Sequence, residues 1–123
     1  MLALAGCAEI SAPPPPPPAA ALQSDQTFLA VDPAAQASIR CPALAPHLLA
    51  DGRLEVLASL ANSTGQPVTV QAACIFKDTQ GAPTGEAISW QKLTLAAKAV
   101  ETLRFVSADA RAQKFTVAVQ SGR

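Results

Sequence analysis

With 123 residues, nine of them basic and nine acidic, the chain has room for one domain of about 90 residues behind a low-complexity front, and none for a second core. Balanced charge leaves no field to draw the chain to a phosphate backbone or an anionic lipid surface, so nucleic acid is excluded as an expected partner. Half of the residues are hydrophobic but 4% are aromatic; the core is therefore expected to be thin and built of Val, Leu and Ile, and no run reaches the roughly 18–20 apolar residues of a membrane-spanning helix.

The first segment, residues 1–7, ends in Leu4-Ala5-Gly6-Cys7, which resembles the lipobox of bacterial lipoprotein signal peptides. In a lipobox small residues fit the signal peptidase and the cysteine sulfur takes a diacylglyceryl group. Met1 to Ala3 stand where a secretory signal carries a basic stretch and an apolar run of about 7 to 15 residues, so the reading frame is expected to begin upstream. The resemblance implies a mature protein that begins at lipid-bearing Cys7, whose acyl chains contribute about 0.8 kcal/mol per buried methylene. Ala8 in the next position implies delivery to the outer membrane, on its inner leaflet, facing the periplasm.

Residues 8–25 read as a disordered proline-rich tether. Pro13 to Pro18 is an unbroken proline run followed by Ala19-Ala20-Ala21. Fixed φ and missing amide donors make such a run an extended, stiff spacer on the order of 19 Å long. The competing reading is a ligand for an aromatic groove of the kind that takes PxxP segments, but a spacer beside a lipid anchor explains the run without one.

From residue 26 to 123 the dominant pattern is alternation of apolar and polar residues with period two, which predicts strands. Gln26 to Val31 and Ala37 to Arg40 are candidate front strands, the second ending at Cys41-Pro42. Arg53 to Ala61 places Leu54, Val56, Ala58 and Leu60 on one face, and Pro67 to Lys77 does the same for Val68, Val70, Ala72, Cys74 and Phe76. Between them Asn62-Ser63-Thr64-Gly65-Gln66 carries hairpin chemistry, so the two strands are expected to pair antiparallel. Asp78 to Gly81 forms the next turn. Ser89 to Leu95, Val100 to Val106 and Lys114 to Gln120 supply three further strands, and Ser107 to Gln113 is expected to form a helical turn capped by Ser107. The sum is an all-β fold, a small antiparallel β-sandwich of immunoglobulin-like or related topology.

Several stretches together, Leu60-Ala61-Asn62-Ser63-Thr64, Gln66-Pro67-Val68-Thr69, Phe76-Lys77-Asp78 with Gly81, Trp90-Gln91-Lys92-Leu93-Thr94-Leu95 and Ala112-Gln113-Lys114-Phe115, resemble the YcfL-type periplasmic lipoproteins over roughly Asp51 to Val119. That resemblance implies a lipobox, a spacer and a compact β-sandwich, in a family with no established activity. The chain departs from it at the end of the second strand, where relatives carry aromatic residues and this one has Cys74, Ile75 and Lys77.

With Cys7 lipidated, Cys41 and Cys74 remain as an even pair in an oxidising compartment, and a disulfide between them is expected to close a loop of about 33 residues and stabilise by roughly 3–4 kcal/mol. The competing reading is that Cys74 is a small buried hydrophobe. No metal or other cofactor is expected, because two cysteines and the distant His47, in what reads as an irregular loop, lack ligand spacing. Glu55, Asp78 and Asp109 read as solvent-facing or turn carboxylates, and no nucleophile has an evident base, so no catalytic residues and no enzyme are expected. Trp90, opposite in parity to Leu93 and Leu95, either covers the sandwich edge or stands exposed as a partner contact. The expected function is a membrane-anchored, non-catalytic binding or adaptor module for a cell-envelope protein complex; the alternative is a carrier or sensor of a small apolar or glycan ligand.

Overall fold

A computed structural model describes residues 26–122. Cys7 and the Pro13 to Pro18 run lie outside them. In chain order the elements are β1 (Phe28–Ala30), α1 (Pro33–Ser38), β2 (Ile39–Leu48), β3 (Leu54–Asn62), β4 (Val68–Lys77), β5 (Gln91–Leu95), β6 (Val100–Val106) and β7 (Lys114–Ser121). They form a sandwich of two sheets, one of four strands in the order β1-β7-β4-β5 and one of three in the order β2-β3-β6. Every pairing is antiparallel except that of β1 with β7.

The alternation read in the sequence fills the space between the sheets. Val56 and Leu60 of β3 meet Val70 of β4, Leu95 of β5, and Val117 and Val119 of β7, all at 1% exposure or less. Phe76, Phe105 and Phe115 belong to the same buried cluster. Burying side chains of this size stabilises by roughly 1.5–3 kcal/mol each against leaving them in water. Ile75 and Ala118 have the opposite parity and form a second apolar layer behind the four-stranded sheet, under Leu29, Val31, Ile88 and Trp90.

Period-two alternation is blind to which sheet a strand joins, and here it misleads. The expected β3–β4 hairpin does not exist: β3 pairs with β2 and β6, whereas β4 pairs with β7 and β5. The segment from Asn62 to Gln66 is a crossover between sheets, and its geometry is set by the Asn62 side chain. Asn62 Nδ2 donates to the carbonyls of Gln66 (2.7 Å), Leu95 (3.2 Å) and Ala96 (3.1 Å), while Oδ1 accepts from the Thr64 amide and hydroxyl at 2.9 and 2.8 Å. This joins the crossover to another, β5 to β6, where Lys98 takes a left-handed φ of 62° and donates its amide to the Thr64 carbonyl.

The hairpin chemistry belongs instead to Asp51-Gly52, between β2 and β3. Gly52 has φ 90°, its amide donates to the Leu49 carbonyl, and Asp51 Oδ1 accepts from the Arg53 amide at 3.1 Å. An Asp-Gly pair meets the positive φ such turns demand.

Three further expectations are corrected. Ala37 lies in helix α1, not a strand: Asp32 caps it by accepting from the Ala35 amide at 2.8 Å, with Pro33 in the first turn, a start favoured because proline has no amide to lose there. Its other oxygen takes the Ser121 amide and hydroxyl, pinning α1 to β7. Strand β2 does not stop at Cys41-Pro42; a register irregularity between Arg40 and Ala43 absorbs the step, and an edge strand tolerates Pro42 and Pro46 because half of its amides have no ladder partner. His47, expected in a loop, is therefore on β2. Finally, Ser107 to Gln113 holds no helix, since the Ser107 hydroxyl accepts from the distant Leu54 amide and donates to the Asp109 carbonyl rather than capping.

Candidate interaction surface

A sandwich has open flanks where its two sheets end. On one flank β1 and β2 stand side by side with α1 bridging them, and a groove of about 600 Å³ runs along them. Phe28, Ala30, Ile39 and Leu44 give it apolar walls, Thr27 and Gln36 contribute polar ones, and Arg40 supplies charge. The β1 backbone is set by β7: the Thr27 carbonyl accepts from the Val117 amide and the Val31 amide donates to the Val119 carbonyl. Successive residues of a strand turn their backbone groups to opposite sides. The N–H and C=O of Phe28 and Ala30 consequently face the groove. Gln36 Nε2 donates to the Ala30 carbonyl at 3.1 Å, taking the place of a neighbouring strand at that one point.

The cysteines lie on opposite flanks. Cys41 is half-buried in the groove wall, its Sγ 3.5 Å from the Ala43 carbonyl. Cys74 is buried in the core beside a cavity of about 200 Å³ on the other flank, with Phe76, Glu86 and Arg104. Both are free thiols, so the expected bridge is absent: β2 and β4 belong to different sheets and face different openings. Burial pushes the Cys41 thiol up. It pushes that of Cys74 far above its ordinary range, with the Glu86 carboxylate adding to the effect. A thiol kept protonated in this way is a poor nucleophile.

Trp90 packs on the second apolar layer with Ile75, Ile88 and Leu29 and is partly buried. Its indole nitrogen is buried without a hydrogen-bond partner. Of the two readings open in the sequence, the structure places it as cover on the four-stranded sheet.

Glu55, expected to face solvent, is 9% exposed. On the outer face of the three-stranded sheet it accepts from Arg104 Nε at 2.6 Å and lies 3.2 Å from His47 Nδ1. Sequence reasoning missed this cluster because its members come from three strands whose register was unknown. The Arg104 guanidinium holds the Glu55 carboxyl below the usual carboxylate range; burial opposes the shift, and His47 reinforces it. A carboxyl whose pKa is lower folded than unfolded stabilises above its unfolded value of about 4.3, and that contribution is lost as pH falls through the folded value. Asp51 and Asp109 shift the same way, mainly through the backbone amides of Arg53 and Arg111. The melting temperature is thus expected to fall as pH drops below about 4.3, and Glu55→Gln to make that fall shallower, as followed by circular dichroism.

Among the described residues no group of three or more His, Cys, Asp or Glu side chains is placed to hold a metal ion, and no helix is long and apolar enough to cross a membrane.

Comparison with solved structures places the same fold elsewhere. A DUF1425 family member from Shewanella sp. pv-4 superposes with a TM-score of 0.62 at 20% identity, covering 69% of this chain and 79% of that one. The Campylobacter jejuni protein cj0090 superposes with a TM-score of 0.64 at 16% identity, covering 78% of this chain and 98% of that one. No curated protein matches the sequence. Residues 30–121, from the end of β1 to the end of β7, match the family described as a protein of unknown function (DUF1425), and the chain belongs to that family.

Proposed function

We propose that this protein is a periplasmic lipoprotein of the YcfL type, anchored through Cys7 to the inner leaflet of the outer membrane. Its sandwich acts as a non-catalytic module that docks a protein of a cell-envelope complex. The observation that carries the reading is the order of features along the chain: a Leu-Ala-Gly-Cys tetrapeptide, a proline run and then a single compact domain. An anchor with a stiff spacer sets a working distance from a surface, and a working distance is useful to a domain that must meet something fixed in the envelope. The alternative, a carrier of small apolar or glycan ligands, calls for a cavity that buries most of its ligand. The larger of the two spaces described is a flank groove, which suits a docked segment better.

The test is photo-crosslinking in living cells, with the full chain expressed behind a complete signal sequence and a crosslinking residue on the domain surface. One discrete envelope protein is expected in the crosslinked product. Deletion of Ala12 to Ala21 is expected to weaken that product while leaving the domain folded, because no described strand lies in the deleted stretch. Absence of any discrete product from sites around the whole domain would overturn the reading.

A further inference from the structure

We propose that the edge of β1 that no described strand covers is a strand-accepting site, which takes an extended, carboxylate-bearing peptide segment of the envelope partner into the groove between β1 and β2. The inference deepens the adaptor reading and rests on it for the identity of the partner. Three observations carry it.

The first is the hydrogen-bonding chemistry of the edge. Phe28 offers N–H and C=O to the groove, and Ala30 offers N–H, its carbonyl being taken by Gln36. Backbone groups spaced two residues apart along a strand are the complement of another extended backbone, which is how peptides add to sheet edges. The second is the contrast with β2 across the groove. Pro42 and Pro46 lack amide hydrogens and the register irregularity at Arg40 to Ala43 bends the strand, devices that blunt an edge against pairing. The peptide accordingly pairs with β1, and β2 serves as a wall. The groove, about 600 Å³, falls within the roughly 300–1,000 Å³ range of ligand sites.

The third is charge. Among the described residues Arg40 is the one charged residue on the groove wall; its Nη1 donates to the Gln36 carbonyl at 3.3 Å, and it makes no ion pair among them. A guanidinium held beside an apolar trough selects a carboxylate over an ammonium group. Phe28, Ile39 and Leu44 receive alternate apolar side chains of the incoming segment.

The experiment uses the full chain in detergent micelles and two capped hexapeptides of alternating valine and threonine, one with a central glutamate and one with a central lysine. The glutamate peptide is expected to bind at least tenfold more tightly than the lysine peptide and to slow hydrogen exchange at the Phe28 and Ala30 amides at least tenfold. Ala30→Pro removes the groove-facing N–H but no bond to β7, so it is expected to weaken binding at least tenfold. Arg40→Gln is expected to abolish the preference for glutamate. The exchange measurement on the unmodified chain and the Arg40→Gln comparison decide the matter even if Ala30→Pro disturbs folding.

Failure of both peptides to bind, protection elsewhere than at Phe28 and Ala30, or a folded Ala30→Pro chain that binds like the parent would each overturn the site. Protection of those two amides without peptide, lost on deleting Ala12 to Ala21, would do so as well, by showing the chain's own tether on the edge. The two proposals fail separately. A crosslinked envelope partner that survives Ala30→Pro sinks the edge site and leaves the adaptor reading, whereas peptide binding at the edge with no crosslinked partner in cells does the reverse.

Discussion

Replacing Asn62 with alanine is expected to destabilise the domain by about 3 kcal/mol, lowering its melting temperature by about 15 °C, since 1 kcal/mol moves a domain of this size by roughly 4–8 °C. The side chain is 2% exposed and holds the β3–β4 and β5–β6 crossovers together, donating to the Gln66, Leu95 and Ala96 carbonyls and accepting from the Thr64 amide and hydroxyl. Alanine removes all five bonds at once; the Gln66 and Ala96 carbonyls keep the Thr64 hydroxyl and the Ala99 amide, but the Thr64 amide loses its Oδ1 acceptor where water reaches poorly, and such a loss costs about 1–3 kcal/mol, reduced by whatever relaxation lets water in. Asn62→Asp discriminates between lost volume and lost chemistry: a carboxylate fills the space and still accepts from Thr64 but cannot donate to three carbonyls. It is expected to destabilise at least as much as alanine at neutral pH. Thermal denaturation followed by circular dichroism measures both, and a change of less than 1 kcal/mol for both would show that the crossovers stand without this residue.

At Trp90 the two obvious substitutions are expected to separate. Trp90→Ala strips cover from the layer built on Ile75 and Ala118; removal of a tryptophan from a packed layer costs about 3–5 kcal/mol, and partial exposure puts this site at about 3. Trp90→Phe keeps most of the ring and discards an indole N–H that has no partner. Deleting an unsatisfied buried donor forfeits no hydrogen bond, so the phenylalanine chain is expected to lose less than about 1.5 kcal/mol. Denaturant titration of the two variants checks the difference. Equal and small effects would mean that Trp90 does not hold the second layer and is available to a partner.

What could be read from the sequence was the apolar face of each main strand. Leu54, Val56, Ala58 and Leu60, and then Val70, Ala72, Cys74 and Phe76, all lie in the core, because burial on one face imposes a local period that needs no knowledge of neighbours. Pairing is not local in this sense. The Asn62 to Gln66 stretch has the composition of a hairpin turn, and what makes it a crossover is the capture of Leu95 and Ala96, more than thirty residues away. The hairpin that does form was signalled by Asp51-Gly52, and α1 by Asp32-Pro33, an acid ahead of a proline at a helix start; both are conventional signals that alternation drew attention from.

The candidate surface was less legible still. Which strand edge borders the groove depends on sheet order, and β1 became identifiable only once the four-stranded sheet was seen to end there. The Glu55 cluster likewise needed the register that sets His47 opposite Glu55. Cys41 and Cys74 illustrate the opposite error, since parity of count and compartment say nothing about the flank each thiol faces.

The most direct test of the account is the fate of Cys7 in cells that express the chain behind a complete lipoprotein signal sequence. Mass spectrometry of the membrane-extracted protein, beside fractionation of a Cys7→Ala variant, reads the anchor itself. The account predicts a mature chain that begins at Cys7 and carries a diacylglyceryl mass, together with loss of the Cys7→Ala variant from the outer-membrane fraction. An unmodified Cys7 in the mature protein, or a Cys7→Ala variant that stays in the outer membrane as the parent does, would contradict it.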